Sequence, residues 1–203
     1  HFGFYGGVVV FDQVGKVVHV VELAFVKTGA DAGAAYDDAM ARVRRRVELL
    51  EKLYIVFLLP PYSNRLSRSI RKDRRIFFYD CAAAYDTTGG AQLENLVASS
   101  LLKFVQLRRD SAGENWDLYY VRDKEGREVD FVVTRNRKVH WLIEVKASDE
   151  SLSTSLLYYT RKLQPEVSIQ LVLNLRRSQE KLGIKILPLG RWIEGLYRDT
   201  ASP

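Results

Sequence analysis

The chain has 203 residues, 47% hydrophobic and 28% charged, which suits a soluble globular protein: one large domain, or a domain with an attachment. Its 31 basic and 25 acidic side chains leave a formal charge of +6, a balance that suits a polyanionic partner. One cysteine, Cys81, excludes an internal disulfide and a cysteine-based zinc cluster, and the absence of a transmembrane-length apolar run excludes a membrane-spanning helix.

With no signal-peptide pattern, a cytoplasmic setting is expected. The chain starts at His1 rather than Met, as a fragment or a processed protein would. Val8 to Phe11 and Val17 to Val26 read as strands around the turn Asp12-Gln13-Val14-Gly15. Ala34 to about Leu53 reads as a helix, with Tyr36, Met40, Val43, Val47 and Leu50 near helical spacing. The cluster Arg42, Arg44, Arg45 and Arg46 on it reads as a solvated face in preference to a phosphate contact. Leu53 to Leu59 is a buried strand or a helix end, stopped by Pro60-Pro61. The stretch from Tyr62 to Lys72 is polar and basic, and Arg74 to Tyr79 reads as a strand. Arg65, Arg68, Arg71, Lys72, Arg74 and Arg75 form the densest basic run, either a nucleic-acid contact or a solvated turn. Cys81 is expected to be a small buried apolar residue.

Gly89-Gly90 precedes a helix from Gln92 to about Phe104, with an apolar stripe of Leu93, Leu96, Val97, Leu101 and Phe104. Glu94 borders that stripe, either as a surface residue or as part of a site. A loop at Asp110–Asn115 leads to a strand at Trp116–Val121 and a turn at Asp123–Gly126. Glu128 to Lys146 is a β-hairpin. Ser148 caps a helix that runs to about Leu163 and ends at Pro165. Strands at Ile169–Leu173 and Ile184–Leu187 and a helix at Leu189–Tyr197 complete the chain. The first hairpin echoes the central one, Lys16 to Glu22 running parallel in pattern to Lys138 to Glu144. Val8 and Ala24 stand where Asp130 and Lys146 would be, so coincidence is the simpler account.

The chemistry concentrates in the central hairpin. Glu144 and Lys146, two residues apart on a strand, share a face. Asp130 on the other arm faces Glu144 if the loop comprises Asn136, Arg137 and Lys138, whereas a two-residue loop turns Asp130 away. Two adjacent carboxylates are costly without a cation between them, and oxygen ligands suit Mg²⁺ or Mn²⁺. Such a cation could polarise a phosphodiester and acidify a water, with Lys146 orienting or activating that water. His1, His19 and His140 make no metal set, because His140 stands roughly 13 Å up the strand from Glu144.

The sequence Val129-Asp130, followed by Glu144-Val145-Lys146 at the end of an apolar strand, resembles the PD-(D/E)XK nuclease superfamily, with Val129 in place of its proline. The order α-β-β-β-α-β from about residue 90 matches that superfamily's core. The resemblance implies an α/β fold with a mixed central sheet and an N-terminal α/β extension. A narrower likeness covers residues 49 to 173. It is carried by Leu58-Leu59-Pro60-Pro61-Tyr62-Ser63, Leu93-Glu94-Asn95-Leu96-Val97, Glu128-Val129-Asp130-Phe131 and Glu144-Val145-Lys146. These runs are similar to the C-terminal domain of unknown function that follows a P-loop module in many prokaryotic AAA-type ATPases.

That resemblance implies a division into an extension at 1–48, a basic connecting segment at 49–88 and a nuclease-like domain at 89–203. It also implies that Glu94 joins Asp130, Glu144 and Lys146 in a catalytic site, with Asp130 and Glu144 holding Mg²⁺ or Mn²⁺. The Val145 carbonyl could add a ligand. No G-x-x-x-x-G-K-[ST] loop is present, so an ATPase partner module would lie outside this sequence. The expected activity is metal-dependent phosphodiester hydrolysis. The alternative is an inactive nuclease fold that docks nucleic acid or protein.

Overall fold

A computed structural model describes residues 6–12, 17–26, 28–29, 31–63, 74–83, 89–148 and 151–198. Strands β1 (Gly7–Asp12) and β2 (Val17–Glu22) form an antiparallel hairpin, followed by helix α1 (Ala32–Lys52). The α1 start is set by Asp31, whose carboxylate accepts the Gly33 amide at 2.8 Å. Glu22 lies beneath Arg42 and Arg46, so two of the helix arginines serve to fasten the hairpin to α1, while Arg44 and Arg45 stay exposed. A Cβ at Gly7 would fall 2.2 Å from the Glu22 carboxylate, so a side chain there would displace Glu22 from its pairing with Arg42 and Arg46.

Strands β3 (Val56–Leu59) and β4 (Arg75–Phe78) make a second antiparallel ribbon. The helix-or-strand choice left open for Leu53–Leu59 resolves as a strand from Val56, after Tyr54 takes a positive φ of 55°. Beyond β3, Pro60 and Tyr62 exchange backbone hydrogen bonds with Tyr120. Phe57, Leu59 and Phe77 enter the main core, so this segment contributes packing as well as connection. A short 3₁₀ turn, Cys81–Ala83, leads on to helix α2 (Gly90–Ala112).

The centre is a six-stranded mixed sheet. Its strands are β5 (Trp116–Arg122), β6 (Glu128–Arg135), β7 (Lys138–Lys146), β8 (Val167–Val172), β9 (Gln179–Lys181) and β10 (Ile184–Pro188). The spatial order is β5-β6-β7-β8-β10-β9. β5, β6 and β7 are antiparallel neighbours, helix α3 (Thr154–Leu163) crosses over so that β8 pairs in parallel with β7, and β10 pairs in parallel with β8. Helix α4 (Leu189–Arg198) ends the described chain. The fold is thus mixed α/β, with four α-helices among the described residues.

Both faces of the sheet are covered, which is why β6 and β7 carry near-continuous apolar runs. On one face Phe131, Ile143 and Ile169 pack under Leu101 and Phe104 of α2 and Leu196 of α4. On the other, Val132 and Leu142 pack under Leu156 and Tyr159 of α3.

Four features depart from the sequence reading. Helix α2 runs to Ala112, through the stretch expected to be a loop, because Val105 continues the buried stripe and Gly113 supplies the left-handed cap (φ 62°). Helix α3 is capped by Ser153 in place of Ser148; the Ser153 hydroxyl accepts the Leu156 amide at 3.2 Å. Strand β9 was not anticipated. Cys81 is only half-buried, with its Sγ 3.2 Å from Ser99 Oγ.

Candidate functional site

The hairpin loop is two residues long, Asn136 and Arg137, both at positive φ (51° and 65°). That length should have turned Asp130 away from Glu144. A bulge reverses the outcome. Near the turn Thr134 faces Val139, but the next pair is Val133 with Trp141, so His140 is the extra residue. Beyond it, Val132 faces Leu142 and Phe131 faces Ile143, the register that the three-residue loop would have produced. The expected loop is therefore corrected, although the register farther up the strands is the one it was invoked to explain.

A second bulge lies on the opposite edge of β6. Tyr119 pairs with Val132 but Val121 pairs with Val129, so three steps of β6 span two of β5. Val129 and Val132 both pack toward α3 while Phe131 packs toward α2. Asp130 sits in this irregular step, where its Oδ2 accepts the Val145 amide at 2.9 Å. A side chain thus takes an amide beyond the last β6–β7 ladder pair.

Around Asp130 the charged groups converge. Lys146 Nζ lies 2.9 Å from Glu144 Oε1, and the Ser153 hydroxyl donates to the same oxygen at 3.3 Å. Arg75 Nη1 is 3.5 Å from Asp130 Oδ1 and 3.8 Å from Glu94 Oε2, while its Nη2 pairs with Glu128. Its guanidinium lies 5.3 Å from the Tyr120 ring centre. Asp130 and Glu144 are only 8% and 6% exposed. Burial, first of all, raises the pKa of both, and Asp130 raises Glu144 further. Burial and the Asp130 charge push Glu94 up to about 7. Glu144 Oε2 is buried without a hydrogen-bond partner, a costly state for a carboxylate oxygen.

These carboxylates are desolvated, mutually repelling and oxygen-only, a donor set that suits a hard divalent cation at Asp130 and Glu144. Among the described residues no group of three or more His, Cys, Asp and Glu side chains converges as a metal cluster. Arg75 supplies positive charge to the same acidic neighbourhood.

Of the basic run, Arg65, Arg68, Arg71 and Lys72 lie outside the described residues. Arg74 is exposed, and Arg75 is turned inward onto carboxylates. His140 packs edge-on against Trp116, with its Nδ1 2.7 Å from Glu166 Oε2 in a contact that lacks hydrogen-bond alignment.

Sequence reasoning missed four supporting residues. Glu128, two positions before Asp130, could have been found by strand alternation. Ser153 precedes the Leu156/Tyr159 stripe as a cap should. Asn95 is 2% exposed and holds both the amide (2.7 Å) and the carbonyl (2.8 Å) of Phe78, tying β4 to α2. Gln170, wholly buried opposite Glu144, accepts the Ser153 amide and donates to the Ser151 carbonyl, each at 2.9 Å. Neither of these amides carries a sequence signal, because each partner is distant along the chain.

No helix among the described residues is long and apolar enough to cross a membrane. No curated protein and no solved structure matches the chain. One family model does match, over residues 89–192, from the first turn of α2 to the start of α4. The chain therefore belongs to the family described as Domain of unknown function (DUF4143).

Proposed function

We propose that this chain is a PD-(D/E)XK nuclease-like module, a relative of the domains joined to AAA-type ATPases, and that it hydrolyses phosphodiesters with Mg²⁺ or Mn²⁺. The observation that carries the reading is the buried Glu144 Oε2, partnerless beside Asp130, Glu94 and Lys146 at one end of a mixed sheet. Asp130 and Glu144 would hold the cation, and the Val145 carbonyl could add a ligand. A cation bound there would polarise the phosphodiester and make a water more acidic. Lys146 orients that water through its ammonium. Glu94, on α2 beside Asp130 and Glu144, would help position the cation or the lysine. The net charge of +6 favours a nucleic-acid substrate.

The test is calorimetric titration of Mg²⁺ and Mn²⁺ into the wild type and the Asp130→Asn/Glu144→Gln variant, followed by cleavage assays on DNA and RNA. Binding should vanish in the variant. Metal-dependent cleavage that survives Glu144→Ala would sink the proposal.

A second reading is favoured by Arg75. Its guanidinium already pairs with Glu128 and lies within ion-pair distance of Asp130 and Glu94. An arginine can serve as the resident cation of a nuclease fold that docks nucleic acid or protein without cutting. Metal-independent DNA binding that falls steeply with salt, with no product formed, supports this alternative.

A further inference from the structure

A concentration of aromatic rings lies at the other end of the hairpin from the carboxylates. There a cavity of about 530 Å³ opens between α2, the start of β5, the β6–β7 turn and α4. Its walls include Trp116, Trp141 and Trp192, which are all the tryptophans of the chain. Phe104 and Trp116 are buried at its base, while Trp141 and Trp192 remain partly exposed. Trp141 lies 5.2 Å from Phe104 and 6.2 Å from Trp192, centre to centre.

Three guanidiniums line the same space, those of Arg108, Arg135 and Arg191. Among the described residues one carboxylate, Glu114, joins them. Glu114 is already engaged, since it accepts the Trp116 indole N–H at 2.6 Å and pairs with Arg135 at 2.5 Å. Arg108 and Arg191 have no carboxylate within ion-pair distance among the described residues. Arg108 Nε is buried with no acceptor, and its guanidinium lies over Phe104, 5.4 Å from the ring centre.

We infer that this cavity binds a nucleoside monophosphate unit, the base stacking on one of the two partly exposed indoles, Trp141 or Trp192, which meet edge to face, and the phosphate held by Arg108 and Arg191. Aromatic and guanidinium planes stack nucleobases irrespective of sequence. Paired arginines suit phosphate because their planar donors match its oxygens. The volume falls within the range of small-molecule sites and exceeds what a bare anion needs. The bulge is what places His140 and Trp141 at this wall. This site stands apart from the carboxylates and does not depend on the proposed cleavage. The unit could come from a free nucleotide or from one residue of a single strand.

Because every tryptophan lines the cavity, intrinsic fluorescence reads it directly. The full chain would be titrated with adenosine 5′-monophosphate, adenosine, ribose 5-phosphate and inorganic phosphate. A single-stranded tetranucleotide would form a fifth arm. The monophosphate should bind at least tenfold tighter than adenosine or either smaller phosphate. Arg108→Gln/Arg191→Gln should weaken the monophosphate at least tenfold and adenosine little. Arg191 is exposed, so Arg191→Gln alone keeps the fold if the double variant does not, and it should still weaken the monophosphate. Tighter binding of the tetranucleotide identifies a strand as the source; equal or weaker binding identifies the free nucleotide. Equal affinity for inorganic phosphate and the monophosphate, or no loss in a folded arginine variant, overturns the inference.

Discussion

Glu94 shows how much a single residue depends on its surroundings. Burial and the Asp130 charge raise its pKa from the ordinary 4.5 to about 7. The folded chain then retains a proton that the unfolded chain releases, so this residue's contribution to stability falls as pH rises between those two values and is constant above them. The upward displacements of Asp130 and Glu144 add slope of the same sign. Without divalent cations, the melting temperature should therefore decline between pH 5 and pH 7.5, and Glu94→Gln should make that decline shallower. Calorimetric melting at the two pH values checks it. A cation between the carboxylates would act in the opposite direction, so Mg²⁺ should raise the melting temperature at pH 7.5 more than at pH 5.

At the scale of the element, the hairpin combines a tight turn with two bulges. Asn136 and Arg137 both occupy the left-handed region that a two-residue turn demands, and Arg137 carries a Cβ that the region disfavours. Arg137→Gly should stabilise the protein by about 0.5–1 kcal/mol in urea unfolding. The Asn95 clasp joins the β3–β4 ribbon, which carries Arg75, to α2, which carries Glu94. Asn95→Ala should cost about 1–3 kcal/mol by the same measurement, because it removes a buried side chain that satisfies both part-buried backbone groups of Phe78. The bulges explain why strand alternation alone could not place the side chains. One extra residue at His140 offsets the short loop, and one extra step at Asp130 moves that carboxylate toward Arg75 and Glu94.

For the whole molecule, the central fact is that one sheet is packed on both faces. Leu101 has no exposed surface and sits between α2 and the sheet, so Leu101→Ala should cost about 2–5 kcal/mol and broaden the unfolding transition. Tyr197 Oη donates to the Ser100 carbonyl at 2.7 Å, which holds α4 against α2 and so helps close the tryptophan cavity.

Apart from β9, the strands and helices from α2 onward were legible because apolar periodicity and turn residues are local properties, and burial on two faces made β6 and β7 conspicuous. The pairing of Glu144 with Lys146 followed from strand alternation alone. The extent of α2 and the cap of α3 were misread because a distant core extends one helix and a buried glutamine fixes the loop before the other. Bulges leave no mark in an apolar pattern, since one added residue costs little locally and is selected by what packs on each face. The partners of Arg75 and the gathering of all three tryptophans around one cavity arise only when elements far apart in the chain meet. Their spacing along the sequence carries no trace of that meeting, because close packing is settled by three-dimensional neighbours and not by chain neighbours.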